Sequence, residues 1–344
     1  MPVDVRGLLR RPLVVAPMAG GPTTPELVVA AADAGALGVL AGGYRTPASL
    51  REQIDAVRAG TVEAFGVNLF VPGAPTAEAA RLSAYLRTLE ADARAVGATC
   101  GEPVWDDDHY VEKLDVVLTA APPLVTFTFG CPTPDAVSAL HAAGSAVAVT
   151  VTEPDEAVAA ARVGADVLCV QGAEAGAHRG TFVNGDRAGR DRGLLALVGA
   201  LASVTDLPQF AAGGIVHPGQ LQAVLAAGAT AAQCGTAFLR APESGAHPAH
   251  KDALADPRFG ATAVTRAFSG RPARGLVNRF VLDHRDAPPA YPEVNNATRP
   301  IRAAAAAAGD ADRMSLFAGQ GYRAAADRPA GEVVEQLCSR AGAG

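Results

Sequence analysis

The sequence predicts an α/β fold of the (β/α)8, or TIM, barrel type, with an added helical subdomain over the barrel mouth. Three observations carry the prediction. One helix–glycine–strand joint occurs four times, at Gly35, Gly144, Gly164 and Gly228. Eight short apolar runs begin near residues 13, 37, 65, 124, 146, 166, 208 and 230. No GxGxxG turn follows the first run, which disfavours an open dinucleotide-binding sheet.

At each joint a helix of small residues stops at a Gly, the residue that takes the left-handed C-cap without steric cost. An apolar strand then starts within two residues. Repeated βα units require parallel strands covered on both faces, and eight of them favour closure into a barrel. The chain opens with a strand at Leu13–Pro17 and a turn at Met18–Pro22. Thr24 is placed to cap a helix whose first residue is Pro25 and which runs to Asp33. Strands follow at Leu37–Leu40, Ala64–Leu69, Leu124–Thr128, Ser145–Thr150, Asp166–Val170, Pro208–Ala212 and Ala229–Gln233.

Two stretches exceed the repeat. Pro75 to Ala121 is too long for one crossover, and Tyr85–Val96 within it reads as a helix. About a hundred residues follow Gln233, with helical segments expected at Asp252–Leu254, Ala261–Phe268 and Glu332–Arg340 and a helix core at the six alanines 303–308. The division expected is a barrel over 1–240, with a helical insertion near 75–121. Segments over 241–344 complete the barrel and cover the active site, since loops of such length usually serve function.

Composition narrows the classes. A net charge of -6 argues against nucleic acid as a partner, because phosphate backbones call for clustered Lys and Arg. No apolar run approaches the ~18 residues that span a bilayer. The N-terminus lacks the apolar core and small-residue cleavage site of a signal peptide. The expectation is a cytoplasmic monomer or homodimer without membrane contact. The five cysteines include no CxxC pair, and Cys169 and Cys234 read as small buried hydrophobes in strands. His247 and His250 stand three apart without a third ligand, so no metal site is expected.

A barrel presents its chemistry at the C-terminal strand ends. There the sequence places Pro17 and Met18, Asn68, Thr126 to Gly130, Thr150 and Thr152, Gln171, Gly213 and Gly214, and Gly235 and Thr236. The Gly turns after the last two strands suit a phosphate, because Gly lets backbone N–H groups approach an anion closely. His178 sits in the Gly-rich loop after Gln171. A neutral imidazole beside an apolar cofactor can take a proton from carbon near pH 7. Glu174 and Arg179 read as structural, either a loop ion pair or a cap.

These motifs resemble the nitronate monooxygenases, formerly 2-nitropropane dioxygenases. The resemblance runs through Val15–Gly21, Phe65–Leu69, Gln171–Gly180, Ala211–Ile215 and Gln233–Leu239, and Phe317–Tyr322 is similar to the segment that ends the class I branch. It implies non-covalent FMN, with Ala16, Pro17 and Met18 along the isoalloxazine. Asn68 and Gln171 would hydrogen-bond the flavin, and Gly176 would lie beside it. Gly213, Gly214, Gly235 and Thr236 would hold the phosphate, and Gln320 and Gly321 would close the far side. His178 would be the catalytic base or would orient the substrate. The reaction implied is oxidation of an alkyl nitronate of the propionate 3-nitronate type by FMN and O2, giving a carbonyl compound and nitrite without NAD(P)H. An NAD(P)H-dependent FMN reductase, of the enoyl-acyl-carrier-protein or quinone type, is the alternative on the same barrel, and a catalytically idle flavin- or phosphate-binding protein is a third reading. Two departures stand out. Gly176-Ala177 replaces the usual Gly-Gly before the His, and Cys131 occupies Phe129-Gly-Cys-Pro132.

Overall fold

Eight parallel strands close on themselves in the order β1-β2-β3-β4-β5-β6-β8-β9. The computed structural model describes residues 4–75, 77–185 and 191–339. The barrel strands are β1 (Leu13–Val15), β2 (Leu37–Ala41), β3 (Phe65–Phe70), β4 (Leu124–Thr128), β5 (Ala146–Val151), β6 (Val167–Gln171), β8 (Gln209–Ala212) and β9 (Ala231–Cys234). β9 closes the ring by pairing Ala232 with Leu13. All eight expected strands are present. Their apolar runs show no alternation because both faces are covered, and β1, β2 and β5 are buried at every residue.

The four glycine joints behave as expected. Gly35, Gly144, Gly164 and Gly228 take φ values of 90°, 87°, 93° and 104°, left-handed geometry that Gly adopts without cost. The helices are α1 (Pro25–Asp33), α2 (Pro47–Gly60), α3 (Ala79–Ala95), α4 (Tyr110–Ala120), α5 (Pro134–Ala142), α6 (Pro154–Val163), α7 (Leu194–Ala202) and α8 (Pro218–Ala226). Beyond the barrel strands come α9 (Pro248–Ala253), α10 (Arg279–Asp283), α11 (Glu293–Ala307) and α12 (Ala330–Cys338). Thr24 caps α1 by accepting from Leu27 N, with Pro25 in the first turn. Both α3 and α4 lie between β3 and β4, which accounts for that overlong crossover. α12 returns to the barrel wall, where Val333 and Leu337 share a core with Leu27, Leu221 and Val224. Arg340, the expected end of that helix, lies outside the described residues.

One expectation fails. Ala261–Phe268 was expected to be helical, yet Thr262–Thr265 forms strand β10, antiparallel to β11 (Ala273–Leu276). β11 then pairs with β7, the two residues Ala177–His178, in the order β10-β11-β7. The Thr-Ala-Val-Thr run is rich in β-branched residues, which favour strands wherever a partner edge is on offer. β10 takes that edge from β11, which follows it closely in the chain, and β11 takes its other partner, β7, from far upstream. Among the described residues no helix is long and apolar enough to cross a membrane.

Candidate active site

The C-terminal strand ends surround a cavity of about 800 Å³. Ala16, Pro17, Met18, Asn68 and Gln171 line it, as do Gly176 and His178. The two late turns, with Gly213, Gly214, Gly235 and Thr236, form another part of the same wall. The residues that the resemblance assigns to the flavin and its chemistry all line this cavity except two, and of the other strand-end candidates Thr128, Phe129 and Thr150 reach the wall while Thr126, Phe127, Gly130 and Thr152 do not. The Gln320 side chain is exposed, and neither it nor Gly321 is on the cavity wall. Gln320 instead donates its backbone N–H to Glu174 O at 3.0 Å. Gly321 packs beneath Gly214, so tightly that a Cβ would come within 2.7 Å of the Gly214 carbonyl.

His178 is held by strand pairing and by its side chain. Its residue pairs with Ala273 of β11. Gln171 Nε2 donates to the His178 carbonyl at 2.9 Å, and Gln171 Oε1 accepts from Gly180 N at 2.8 Å and Arg179 Nη1 at 3.1 Å. The amide of Gln171 is thus largely engaged by the His178 loop, with one Nε2–H left over. The imidazole Nε2 lies 2.8 Å from Ser269 Oγ. Ser269 directs its one hydroxyl proton to Arg271 O at 3.1 Å, so Oγ accepts from Nε2–H. That network assigns the tautomer and leaves Nδ1 as the bare nitrogen, with no protein partner. Phe129, Tyr291 and Phe317 surround the ring at centroid distances of 5.9, 5.7 and 5.4 Å. Loss of water, then the positive charges of Arg271 and Arg302, push the His178 pKa down to about 3. The imidazole is neutral at physiological pH.

Glu174 and Arg179 do not pair with each other. Both Glu174 oxygens accept from Leu194 N, at 2.9 and 3.0 Å, which caps α7. Arg179 is buried and donates to Gly172 O at 2.6 Å, tying down the loop on which His178 rides. Asn68 Nδ2 donates to Thr126 Oγ1 at 2.8 Å and Thr128 Oγ1 at 3.0 Å, so this amide is fixed by β4 and its Oδ1 is left without a protein donor.

The late turns carry unused donors. Among the described residues the N–H groups of Gly214, Gly235 and Thr236 have no protein acceptor. All three residues are half-buried on the cavity wall, and N–H groups gathered there without a protein acceptor suit an anion. Gly214 takes φ 68°, a left-handed value that Gly adopts without steric cost. Ala318 and Gly319 strap the His178 loop from above. A Cβ on Gly176 would meet Gly319 N at 2.5 Å, so only Gly fits there. Gly319 N in turn donates to Thr236 Oγ1 at 2.9 Å, linking the strap to the second turn.

Several groups in the cavity wall and in the adjoining pocket have no local sequence signal. Tyr291 Oη donates to Tyr44 Oη at 3.2 Å, and burial pushes the Tyr44 pKa up to about 12. The Arg271 guanidinium stacks 3.9 Å from the Phe129 ring centroid, and burial lowers its pKa to about 10. Tyr44 and Phe129 have φ of 65° and 80°, and Ala177 has 60°, so three non-Gly residues in left-handed geometry border one cavity. Among the described residues no cluster of His, Cys, Asp and Glu could hold a metal ion.

Comparison with known proteins places this geometry. The family model "Nitronate monooxygenase" matches residues 5–340. A nitronate monooxygenase of Pseudomonas aeruginosa is 40% identical over 340 residues, covering 96% of this chain and 95% of the relative. A probable nitronate monooxygenase of Bacillus subtilis is 35% identical over 337 residues, covering 96% of each. Among solved structures, a nitroalkane oxidase from Streptomyces ansochromogenes superposes with a TM-score of 0.93 at 46% identity, covering 97% of this chain and 96% of the other. FabK from Thermotoga maritima superposes with a TM-score of 0.73 at 25% identity, covering 98% and 95%.

Proposed function

The chain belongs to the nitronate monooxygenase family, and from that premise we propose that it oxidises alkyl nitronates with FMN and O2, giving a carbonyl compound and nitrite without NAD(P)H. The observation that carries the reading is a pairing within one cavity. A bare imidazole nitrogen shares it with backbone N–H groups that no protein acceptor takes. FMN fits the second half of that pairing. The N–H groups of Gly214, Gly235 and Thr236, with Gly213 beside them, would hold its phosphate. Ala16, Pro17 and Met18 offer an apolar wall to the ring system, with Gly176 beside it. Asn68 Oδ1 and the remaining Gln171 Nε2–H offer one acceptor and one donor to the ring's polar edge. When bound, the flavin supplies the electron acceptor and the reactivity toward O2.

The protein's own groups prepare the substrate. Nδ1 of His178 carries a free lone pair at physiological pH and is the acceptor in this cavity for the proton of a carbon that bears a nitro group, which turns a nitroalkane into its nitronate in place. The nitroalkane oxidase of Streptomyces ansochromogenes supports that half of the reading. For a nitronate already formed no such proton remains, and His178 with its aromatic neighbours orients the substrate and excludes water.

Oxygen uptake tests the reading. Uptake with propionate 3-nitronate and none with NADH or NADPH is the expected result. Flavin bleaching by NAD(P)H with no response to the nitronate would replace it with the reductase.

A further inference from the structure

Two guanidinium groups on successive turns of α11, those of Arg299 and Arg302, line the cavity, and neither has a carboxylate within ion-pair distance among the described residues. Arg302 is the inner one. Its Nε donates to Thr298 Oγ1 at 3.1 Å, and its Nη2 to Asn295 O and Asn295 Oδ1, both at 2.9 Å. All three acceptors are neutral and all belong to its own helix. They fix the plane of the fork and leave the two N–H bonds of Nη1 unused. Arg299 is exposed, with Nη2 bonded to Asn296 Oδ1 at 2.9 Å. A desolvated cation without a counter-ion is costly, and burial lowers the Arg302 pKa to about 10. Tyr44 also lines the cavity and lies within electrostatic reach of Arg302. It accepts from Tyr291, which leaves its own hydroxyl proton without a protein acceptor.

We infer that Arg302, through the free Nη1 edge of its guanidinium, receives a carboxylate carried by the substrate at the end remote from the reacting carbon, and so is the residue that selects carboxylate-bearing nitronates over plain alkyl ones. The inference rests on the proposed function and adds a residue to it. Three arguments separate this anion from the others in the site. The phosphate-competent N–H groups belong to the turns after β8 and β9, whereas Arg302 is on α11. The reacting carbon belongs at His178 Nδ1 on β7, whereas the hydrogen bonds that fix Arg302 all come from α11, so a group on Nη1 is held from a different element. A plain nitronate brings one negative charge to a wall with two unneutralised guanidinium groups, and a carboxylated nitronate brings two. Guanidinium matches carboxylate through paired N–H donors, while Tyr44 Oη–H can supply another. Arg299 at the exposed end draws the anion inward.

The test uses the FMN-loaded protein with Arg302→Met and Arg302→Lys. Calorimetry measures binding of 3-nitropropionate against 1-nitropropane, and steady-state rates compare propionate 3-nitronate with propyl-1-nitronate. Arg302→Met is expected to lose about 100-fold in affinity for the acid and in kcat/KM for the carboxylated nitronate, mostly through KM, since truncating one member of a buried charge pair costs about that much or more. The plain nitronate, which brings one charge where the carboxylated one brings two, should lose clearly less, so the ratio of the two losses is the readout. Arg302→Lys should recover part of the preference, because it restores charge without the planar fork. An equal loss for both classes, or an acid preference that survives in Arg302→Met, overturns the inference. A wild-type protein that prefers the acid in binding but consumes no nitronate would sink the proposed function and leave the role of Arg302 standing.

Discussion

His178 Nε2 lies 2.8 Å from Ser269 Oγ, across a sequence separation of 91 residues. The contact exists because β7 pairs with β11 and carries the His loop to the segment just before that strand. Ser269 also accepts from Arg271 N at 3.3 Å and donates to Arg271 O at 3.1 Å, so its oxygen is fixed before the imidazole arrives. Ser269 is a positioning residue that keeps the proton on Nε2 and the lone pair on Nδ1. Ser269→Ala should cost about 1 kcal/mol of stability, the usual value of one net hydrogen bond. It should lower kcat on a neutral nitroalkane by about tenfold, and His178→Asn by about a hundredfold or more, as expected for loss of a general base. With a pre-formed nitronate Ser269→Ala should be nearly silent. Equal losses on the two substrate types would mean that Ser269 serves packing alone.

The strap over the His loop depends on glycine. Gly176→Ala puts a methyl 2.5 Å from Gly319 N and 2.6 Å from the Ala318 carbonyl carbon, and both are backbone atoms that cannot rotate away. Overpacking of this kind costs about 1–3 kcal/mol, so the variant should show a lower unfolding midpoint. The neighbouring position should respond oppositely. Ala177 has φ 60°, where an L side chain is strained by roughly 1 kcal/mol. Ala177→Gly removes that strain but frees the unfolded chain, so a small gain, on the order of 0.5 kcal/mol, is expected. Urea titration of both variants reads the two signs.

The barrel was legible because each strand advertises itself twice, by an apolar run and by the glycine that ends the helix before it. Asn68, His178 and the late Gly turns were legible because strand ends carry chemistry in this fold, so position along the chain implied position in space. Tyr44, Ser269, Tyr291 and Arg302 had no such signal. Tyr44 follows a glycine pair, and Arg302 stands beside six alanines in what reads as a plain helix. Their meaning comes from contacts across the fold, such as the Tyr291–Tyr44 hydroxyl bond over 247 residues. The same reason hid the pairing of β11 with β7, which lies far upstream, whereas β10 and β11 pair locally and the β-branched run Thr262–Thr265 was a readable signal. The strap segment was recognisable as a motif, but not as a strap. Its glycines match Gly176 and Gly214 by close backbone approach, which no local pattern encodes.

Two histidines, the half-buried His178 on the cavity wall and the buried His250, set a pH limit on the fold. His178 is held neutral down to about pH 3 and His250 down to about pH 4, both chiefly by burial, whereas an unperturbed imidazole takes its proton near 6.5. The unfolded chain therefore binds more protons than the native one between those values. The stability from keeping each ring neutral is complete above pH 6.5 and falls as the pH drops toward the native pKa. At pH 5 His250 alone should account for a loss of about 2 kcal/mol relative to pH 7.5. His250→Gln, which cannot titrate, should show a correspondingly smaller fall in the urea midpoint between those two pH values. An unchanged fall would mean that His250 does not govern it.

The phosphate turns can be tested apart from the fold, because Gly235 and Gly214 differ. Gly214 has φ 68°, and a Cβ there would press on Glu174 Cβ at 3.1 Å, so any substitution strains the loop whether or not a ligand binds. Gly235 has φ -111°, which any residue adopts, and its added Cβ would meet only Ala16 and Met18 side chains at 3.4 Å, ordinary contact. Gly235→Ala should therefore leave the stability of the FMN-free protein within about 0.5 kcal/mol of wild type, the usual range for a change that touches nothing critical. A phosphate drawn up to the Gly235 and Thr236 N–H groups would meet the new methyl instead. FMN affinity should then fall by about tenfold or more, equivalent to about 1.4 kcal/mol. Fluorescence titration of the FMN-free protein with FMN, beside thermal unfolding of the same sample, separates the two quantities. Unchanged affinity with unchanged stability would remove the phosphate from this turn, and a fall in both would return Gly235 to a role in the fold alone.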